Sequence, residues 1–452
     1  MVPSSDLMKA IDVLDYRVTT GDVSLQSGID VKQAEHELLA LASDAGGHLQ
    51  VSETGEIVYL FPKNYRTVLR NSSLRLRLRE WWQKVWKVLF YLIRISFGII
   101  LILSIVIISL AIIFLMLAMN RGSDDNNSGS GQSNFFFFPS FLMRGMMYDM
   151  FSINYYQRRR SGYYSGYGDT PSRSSRSTRR KDENSMNFLE AVFSFLFGDG
   201  NPNADLEERR WQYIAGAVRN NGGAIAAEQV LPYLDLEADT DLEDEDYMLP
   251  VLTRFNGRPE VSSEGNIIYH FPELQVMAEE RGKTSVPETL REKQWKFSEA
   301  GSAQLTWAGG LGAVNLALAV ILGYMLTDPS LQAAEPLLYL GGQIGIVDIG
   351  YLILLAYAIA FITIPSVRAI WVSQKNKSIE RSNEKRLRQA NRLNAPSNII
   401  QQKIEYAKQF ASTTVVSPED LTYTTETGLT EQEALRSDDI DEEWRRRIEG
   451  SR

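Results

Sequence analysis

The sequence predicts a mainly α-helical integral membrane protein with small β-hairpins and about three transmembrane helices. Three observations carry this: long apolar runs recur at three places, a sixteen-residue segment occurs twice, and the 452 residues include no Cys. The missing Cys excludes disulfides, thiolate zinc sites, thiol nucleophiles and a Cys-ligated iron–sulfur cluster of its own. Three His leave few donors for metal catalysis. At roughly 150 residues per domain the length suggests two or three units.

The elements follow in order. Met8–Tyr16 reads as a first helix and Ser24–Gly28 as a short second one. From Asp30, a residue suited to cap a helix, Val31, Ala34, Leu38, Leu41 and Ala42 repeat at helical spacing. Leu49–Ser52 and Glu56–Phe61 read as strands about a turn at Gly55, and Pro62 ends their ladder. This hairpin lies in Gly47–Pro62, which aligns without gaps on Gly257–Pro272 at a constant offset of 210, with eight identities. The hairpin core expected from that match is Val51, Gly55, Ile57, Tyr59 and Phe61, repeated as Val261, Gly265, Ile267, Tyr269 and Phe271. Trp211–Val218, Ala227–Leu234 and the run Tyr247, Met248, Val251, Leu252 supply the helices before the second hairpin, with Pro250 an awkward interruption. Three helices and a two-stranded hairpin resemble the winged-helix fold, over residues 1–65 and again over 205–275.

Residues 66–94 read as a basic juxtamembrane helix. Between Lys63 and Lys87 stand eight Lys or Arg against one acid, Glu80. Trp81, Trp82 and Trp86 are placed there as membrane-interface anchors. The first membrane helix is 95–119, whose 25 residues carry no charge, enough for a hydrocarbon core of about 30 Å. Residues 305–326 and 344–372 read as a helical hairpin. Its first arm holds Gly309, Gly310, Gly312 and Gly323, small residues that let membrane helices approach closely. No Gly-Lys-Ser/Thr follows them, so they read as packing glycines and not as a phosphate loop. The second arm carries Asp348, an intramembrane polar residue, and Pro365.

Charge bias gives the orientation and a conflict. The first 80 residues are polar and contain no signal peptide, so the chain start is expected on the synthesis side. Eight Lys or Arg from Arg368 to Arg392 and eight more from Gln157 to Lys181 also favour the inner face. Three crossings cannot satisfy all of these. The loop 120–156 is therefore expected to return the chain through an interfacial or re-entrant element at Phe135–Tyr156. Residues 157–185 read as a basic disordered linker beside anionic lipid. Residues 186–200 read as a short amphipathic helix on the second small domain or on the membrane surface. The segment 374–452 reads as helical, then as an acidic tail that is solvated or acts as a docking peptide.

A winged helix evokes DNA, and the charges oppose it. Asp30–Ala45 holds Asp30, Glu35, Glu37 and Asp44 against Lys32, and eight acids from Asp235 to Asp246 lead into its counterpart. Phosphate binding needs the opposite sign. His36, His48 and His270 have no second donor at ligand spacing, and nucleophile-elbow and His-Glu-x-x-His patterns are absent. No catalytic, cofactor or metal residue is assigned. The partners expected are an unidentified protein and membrane lipids.

The order of parts, with Met186–Asn203 and the segment ending Glu-Gly-Asn-Ile-Ile-Tyr-His-Phe-Pro272, resembles a family of poorly characterised membrane proteins of cyanobacteria and chloroplasts. The resemblance spans roughly Val13–Val372, and plant relatives are sometimes labelled iron–sulfur cluster biosynthesis proteins. It implies a thylakoid or plasma membrane of a cyanobacterium, or a chloroplast membrane, with both termini cytoplasmic or stromal. Without Cys, any support of iron–sulfur or photosystem assembly is indirect. The expected function is a non-enzymatic membrane scaffold or assembly factor. The alternatives are a channel or transporter-like protein using the Gly-rich hairpin and Asp348, and a membrane-tethered nucleic-acid regulator.

Overall fold

The computed structural model describes residues 3–72, 74–121, 186–235, 244–327 and 344–428, with isolated positions beyond. Helix α1 (Ser5–Val13) begins where the Ser4 hydroxyl accepts from the Leu7 N–H. Strand β1 (Arg17–Thr19) leads straight into α2 (Thr20–Ser27), whose first turn is a capping box of Thr19 and Asp22. Helix α3 (Val31–Ala45) is capped by Asp30, which accepts from Lys32 N and Gln33 N, and stops at Gly46 in the left-handed region. Then come β2 (His48–Ser52), β3 (Ile57–Leu60), α4 (Tyr65–Ser72) and α5 (Leu74–Arg121). Helices α6 (Phe188–Phe197) and α7 (Leu206–Asn220) are followed by β4 (Ala224–Ile225) and three short 3-10 turns. The order continues with α8 (Leu249–Phe255), β5 (Arg258–Val261), β6 (Ile267–His270), β7 (Val276–Met277), α9 (Ser302–Leu326) and α10 (Ile344–Asn394). Helix α11 (Asn398–Ala407), β8 (Thr414–Val415) and β9 (Leu421–Thr424) come last.

The chain divides into a globular unit, Met1–Val85 with Asn201–Gln294 and Lys375–Arg452, and a helical unit, Trp86–Gly200 with Trp295–Gln374. In the globular unit the first sheet has strand order β1-β3-β2-β9 and the second β4-β6-β5. The two hairpins pair in one register: Val51 faces Ile57 and His48 faces Leu60, while Val261 faces Ile267 and Arg258 faces His270. Strands β1 and β4 are additions to the sequence reading. At three and two residues they are too short for a period-two pattern to register. Pro250 lies in the first turn of α8, where a missing N–H removes no helical bond, so the expected interruption does not occur.

The tail differs from the solvated segment expected. Strand β9 pairs antiparallel with β2, and β8 pairs in parallel with β7. The equivalent open edge of the second sheet, β5, carries Pro259, which has no N–H to offer another strand.

The helical unit contributes to three helices long and apolar enough to cross a membrane: Trp81–Leu117, Ser302–Leu326 and Ile349–Asn394. One buried cluster joins Leu101 of α5, Val192 and Leu196 of α6, Ala308 and Leu311 of α9, and Phe361 of α10. Helix α6 is therefore packed against α5, α9 and α10 within the helical unit. A Cβ on Gly312 would strike the Phe361 ring and one on Gly323 the Tyr351 phenol, whereas Gly310 faces open space. Close packing thus explains the first two glycines and not the third. Helix α10 continues through Pro365 without a break for 51 residues. The elements expected over 135–156 and 157–185 lie outside the described residues.

Candidate docking surface

The globular unit has two lobes, the first around the sheet β1-β3-β2-β9 and the second around β4-β6-β5, and they are built as one body. Asp22, fully buried on α2, receives a charged hydrogen bond from Arg219 Nη1 of α7 at 2.5 Å and one from Ala278 N at 2.9 Å. Arg219 also donates to the Leu274 and Val276 carbonyls at 3.0 and 3.1 Å. Arg254 of α8 donates to the Gly28 carbonyl at 2.8 Å and lies over the Trp211 ring at 4.5 Å. Val31 of α3 belongs to the second lobe's core, with Ile214, Met248 and Phe255. Gly21 and Gly28 permit this approach. A Cβ on Gly21 would meet the Glu273 carbonyl, and Gly28, at φ +69°, abuts Trp211.

The tail is fastened by a second charged cluster. Lys403 of α11 bridges Glu228 at 2.8 Å and Glu245 at 2.5 Å. Glu245, buried and in the left-handed region at φ 51°, also accepts from the Tyr269 hydroxyl at 2.7 Å. Burial alone pulls the Lys403 ammonium down, but hydrogen bonds to the two carboxylates outweigh it and its pKa lies above the ordinary value. Burial, then Glu245, pushes the Tyr269 phenol up.

Acids outnumber cations on the solvent face of α3 and in the first hairpin turn, where Lys32 is the exposed cation. Glu35 and Asp44 on α3 and Glu53 in the hairpin turn are exposed, beside a half-exposed Leu39. Burial and the neighbouring Glu273 push the Glu56 carboxyl above its usual range. On the second lobe the acids preceding the helix do not all form an outward face. Asp235 is paired to Arg210 and Arg386, and Glu245 is spent inside; residues 236–243 lie outside the described residues.

The comparisons with known proteins bear on the whole of this arrangement. The chain is 36% identical over 460 residues to "Uncharacterized protein At5g03900, chloroplastic" of Arabidopsis thaliana, covering 98% of this chain and 81% of the relative. The chain belongs to that protein's family. No family model and no solved structure matches. The alignment with the chloroplastic family member is long enough to take in both lobes, the apolar helices and most of the tail.

In this family member the sequence-selected residues separate by face. Tyr59, Phe61, Tyr269 and Phe271 are buried, and Gly55 and Gly265 make the turns at φ +87° and +84°. Val51 is half-buried, and Ile57, Val261 and Ile267 point outward, so these four do not serve as core. Ile57 and Ile267 share a strand face with Tyr59 and Tyr269, but they are the first residues of β3 and β6, at the turn end of the hairpin where the core no longer covers them. Trp81, Trp82 and Trp86 are all exposed on α5. Asp348 lies in the second turn of α10. His48 meets the Thr425 carbonyl and His270 the Gln275 side chain. Among the described residues no three metal-donor side chains cluster. The Asp22–Arg219 and Lys403–Glu245 pairs escaped the sequence reading. Thr19-x-x-Asp22 is a legible capping box, but nothing local marks a partner 197 residues away.

Proposed function

We propose that the chain is a non-enzymatic membrane scaffold or assembly factor whose two lobes, as winged-helix-like modules, dock a protein partner at a photosynthetic membrane. The observation that carries this reading is the lock between α2 and α7 through Asp22 and Arg219, which turns two small domains into one platform. The order helix, strand, helix, helix, hairpin, with sheets β1-β3-β2 and β4-β6-β5, supports the winged-helix part. The exposed Glu35, Asp44 and Glu53 suit a partner with a basic face, since complementary charge steers association. The same acids oppose a nucleic-acid duplex, and part of α3 is already used against the second lobe. The chloroplast in the relative's name, with three apolar helices, supports a chloroplast membrane. The thylakoid and the stromal side of both termini belong to the proposal alone, the latter argued from the basic flanks of the apolar runs. A partner from photosystem or cluster-assembly machinery fits this reading, with any cluster held by the partner.

Tagged full-length protein in mild detergent should co-purify a defined set of subunits, identified by mass spectrometry. The triple variant Glu35→Lys, Asp44→Lys, Glu53→Lys should lose them while staying folded. An unchanged set removes the acidic face from the proposal, and no partner in either preparation removes the scaffold. One observation favours a channel or transporter as a second reading. Ser104 donates to Asn315 at 2.9 Å, both buried between apolar helices. Solute flux in proteoliposomes that falls with Asn315→Leu or Asp348→Asn would support it.

A further inference from the structure

The outer strands of the two repeated hairpins differ at one decisive position. Leu49 of β2 aligns with Pro259 of β5 at the offset of 210. Pro259 has no N–H, so the second sheet presents a broken edge. In the first hairpin the edge is complete. Leu49 N donates to the Thr425 hydroxyl at 2.8 Å and Glu53 N to the Asp420 carbonyl at 3.1 Å, while the Leu49 carbonyl accepts from Thr425 N at 2.9 Å. A sheet edge with its backbone groups presented in this way is a template for an added strand.

The tail segment on this edge fits it imperfectly. Gln50 faces Thr424 and Val51 faces Tyr423, but Ser52 faces Leu421, so Thr422 is an extra residue with nothing opposite it. The Thr422 hydroxyl is buried and has no hydrogen-bond partner among the described residues. A strand without that hydroxyl avoids the cost of desolvating it. Strand β9 is four residues long, and Tyr423 on it is 40% exposed. Leu421 is the residue of β9 that reaches the small core of Val58, Val276, Ala278 and Val416. The edge is regular, and the tail meets it with a bulge and an unpaired hydroxyl.

We propose that the β2 edge is a strand-addition site for an extended segment of a partner protein, and that the tail is an internal stand-in which the partner displaces. The partner segment carries an apolar residue opposite Ser52, where Leu421 now packs, and pairs along β2 without an extra residue. A second copy's tail brings the same Thr422 and has no advantage over the chain's own, which is held at the edge by its tether. The site is made of β2 backbone and not of the carboxylates of Glu35, Asp44 and Glu53, so it stands or falls apart from the acidic docking face.

The test uses the full chain in mild detergent and three fluorescent peptides, read by anisotropy. The first is the tail sequence 417–428, the second the same peptide without Thr422, and the third the second peptide N-methylated at the residue corresponding to Thr425. The peptide without Thr422 should bind saturably, about 5- to 150-fold tighter than the intact one, which is the cost of an unmade buried hydroxyl hydrogen bond. N-methylation should abolish binding, because it removes the N–H given to the Leu49 carbonyl, and it leaves the protein itself untouched. Leu49→Pro, which gives β2 the residue that β5 already carries at this register, should lose the peptide as well. No binding of the shortened peptide, equal binding after N-methylation, or unchanged binding to Leu49→Pro overturns the site. Equal affinity of the intact and shortened peptides overturns the partner assignment, leaving exchange of tails between copies.

Discussion

Asp22→Ala tests whether the two lobes form one body. Asp22 is fully buried and Arg219 is 11% exposed at its side chain, so the substitution strands a cation that cannot regain bulk water. Removing one member of a buried pair costs about 3–5 kcal/mol. Arg219 keeps its two carbonyl acceptors, which places this site at the lower end, about 3 kcal/mol. Loss of the Thr19–Asp22 capping box adds about 1 kcal/mol. At about 2–4 °C per kcal/mol for a unit of this size, Tm should fall by roughly 8–16 °C. The assay is calorimetry of the full chain in mild detergent, with Arg219→Met and the double variant alongside. Replacing both partners leaves nothing charged and unpaired, so the double variant should recover about 2 kcal/mol relative to the sum of the singles. A drop under about 3 °C for Asp22→Ala, or strict additivity, would refute the lock.

Other substitutions probe the remaining layers. Phe271→Ala, at a fully buried ring, should cost about 3–5 kcal/mol in urea unfolding. Ile267→Ala, 36% exposed and four residues earlier at the turn end of β6, should stay within about 0.5 kcal/mol, and equal losses would contradict the assignment of core and rim. Burial pushes Tyr59 and Tyr233 up to about 12 from 10.0, and Lys403 lies above 10.5. Groups raised on folding stabilise fully below their unfolded pKa and lose that contribution through the folded one. Stability should therefore hold to about pH 10 and fall towards pH 12, as read from urea midpoints; a midpoint that rises over this interval would contradict it. Gly312→Leu should destabilise the helical unit by about 1–3 kcal/mol in detergent because its side chain enters the Phe361 ring. Gly310→Ala, with open space around it, should be neutral or stabilising by up to about 1 kcal/mol. The order of those two effects, measured by Tm, is the check.

Much of this architecture is legible along the chain because its signals are local. Val31, Ala34, Leu38 and Leu41 repeat on one face of a helix, and Asp30 caps it where expected. Gly55 and Gly265 mark turns that need positive φ. The apolar runs announce themselves by length. What escaped is what depends on distant partners. Nothing near Lys403 reveals Glu245, and nothing in Leu421–Thr424 says that it lies against Val51 and Ser52. The acids before α8 were misleading for the same reason: Asp235 and Glu245 look solvated in sequence and are claimed by Arg386 and Lys403 in three dimensions. Only paired chemistry, seen together, separates a docking face from an internal clamp.

The strand β9 also fixes the order in which the protein can be finished. It joins β2 through pairs such as the Leu49 N–H on the Thr425 hydroxyl, 376 residues apart, with every apolar helix in between. At about 5–20 residues per second of synthesis, the edge of the first sheet waits on the order of 20–75 s for its last strand. The second sheet needs no further strand at β5, where Pro259 blunts the edge, although α11 of the tail later packs on it through Ala407 and Tyr406. A ribosome that stops early therefore releases a chain with its apolar helices made and β2 still open. Such an edge invites pairing with other chains. The first lobe is begun first and closed last, so its completed sheet is a record that translation reached the tail.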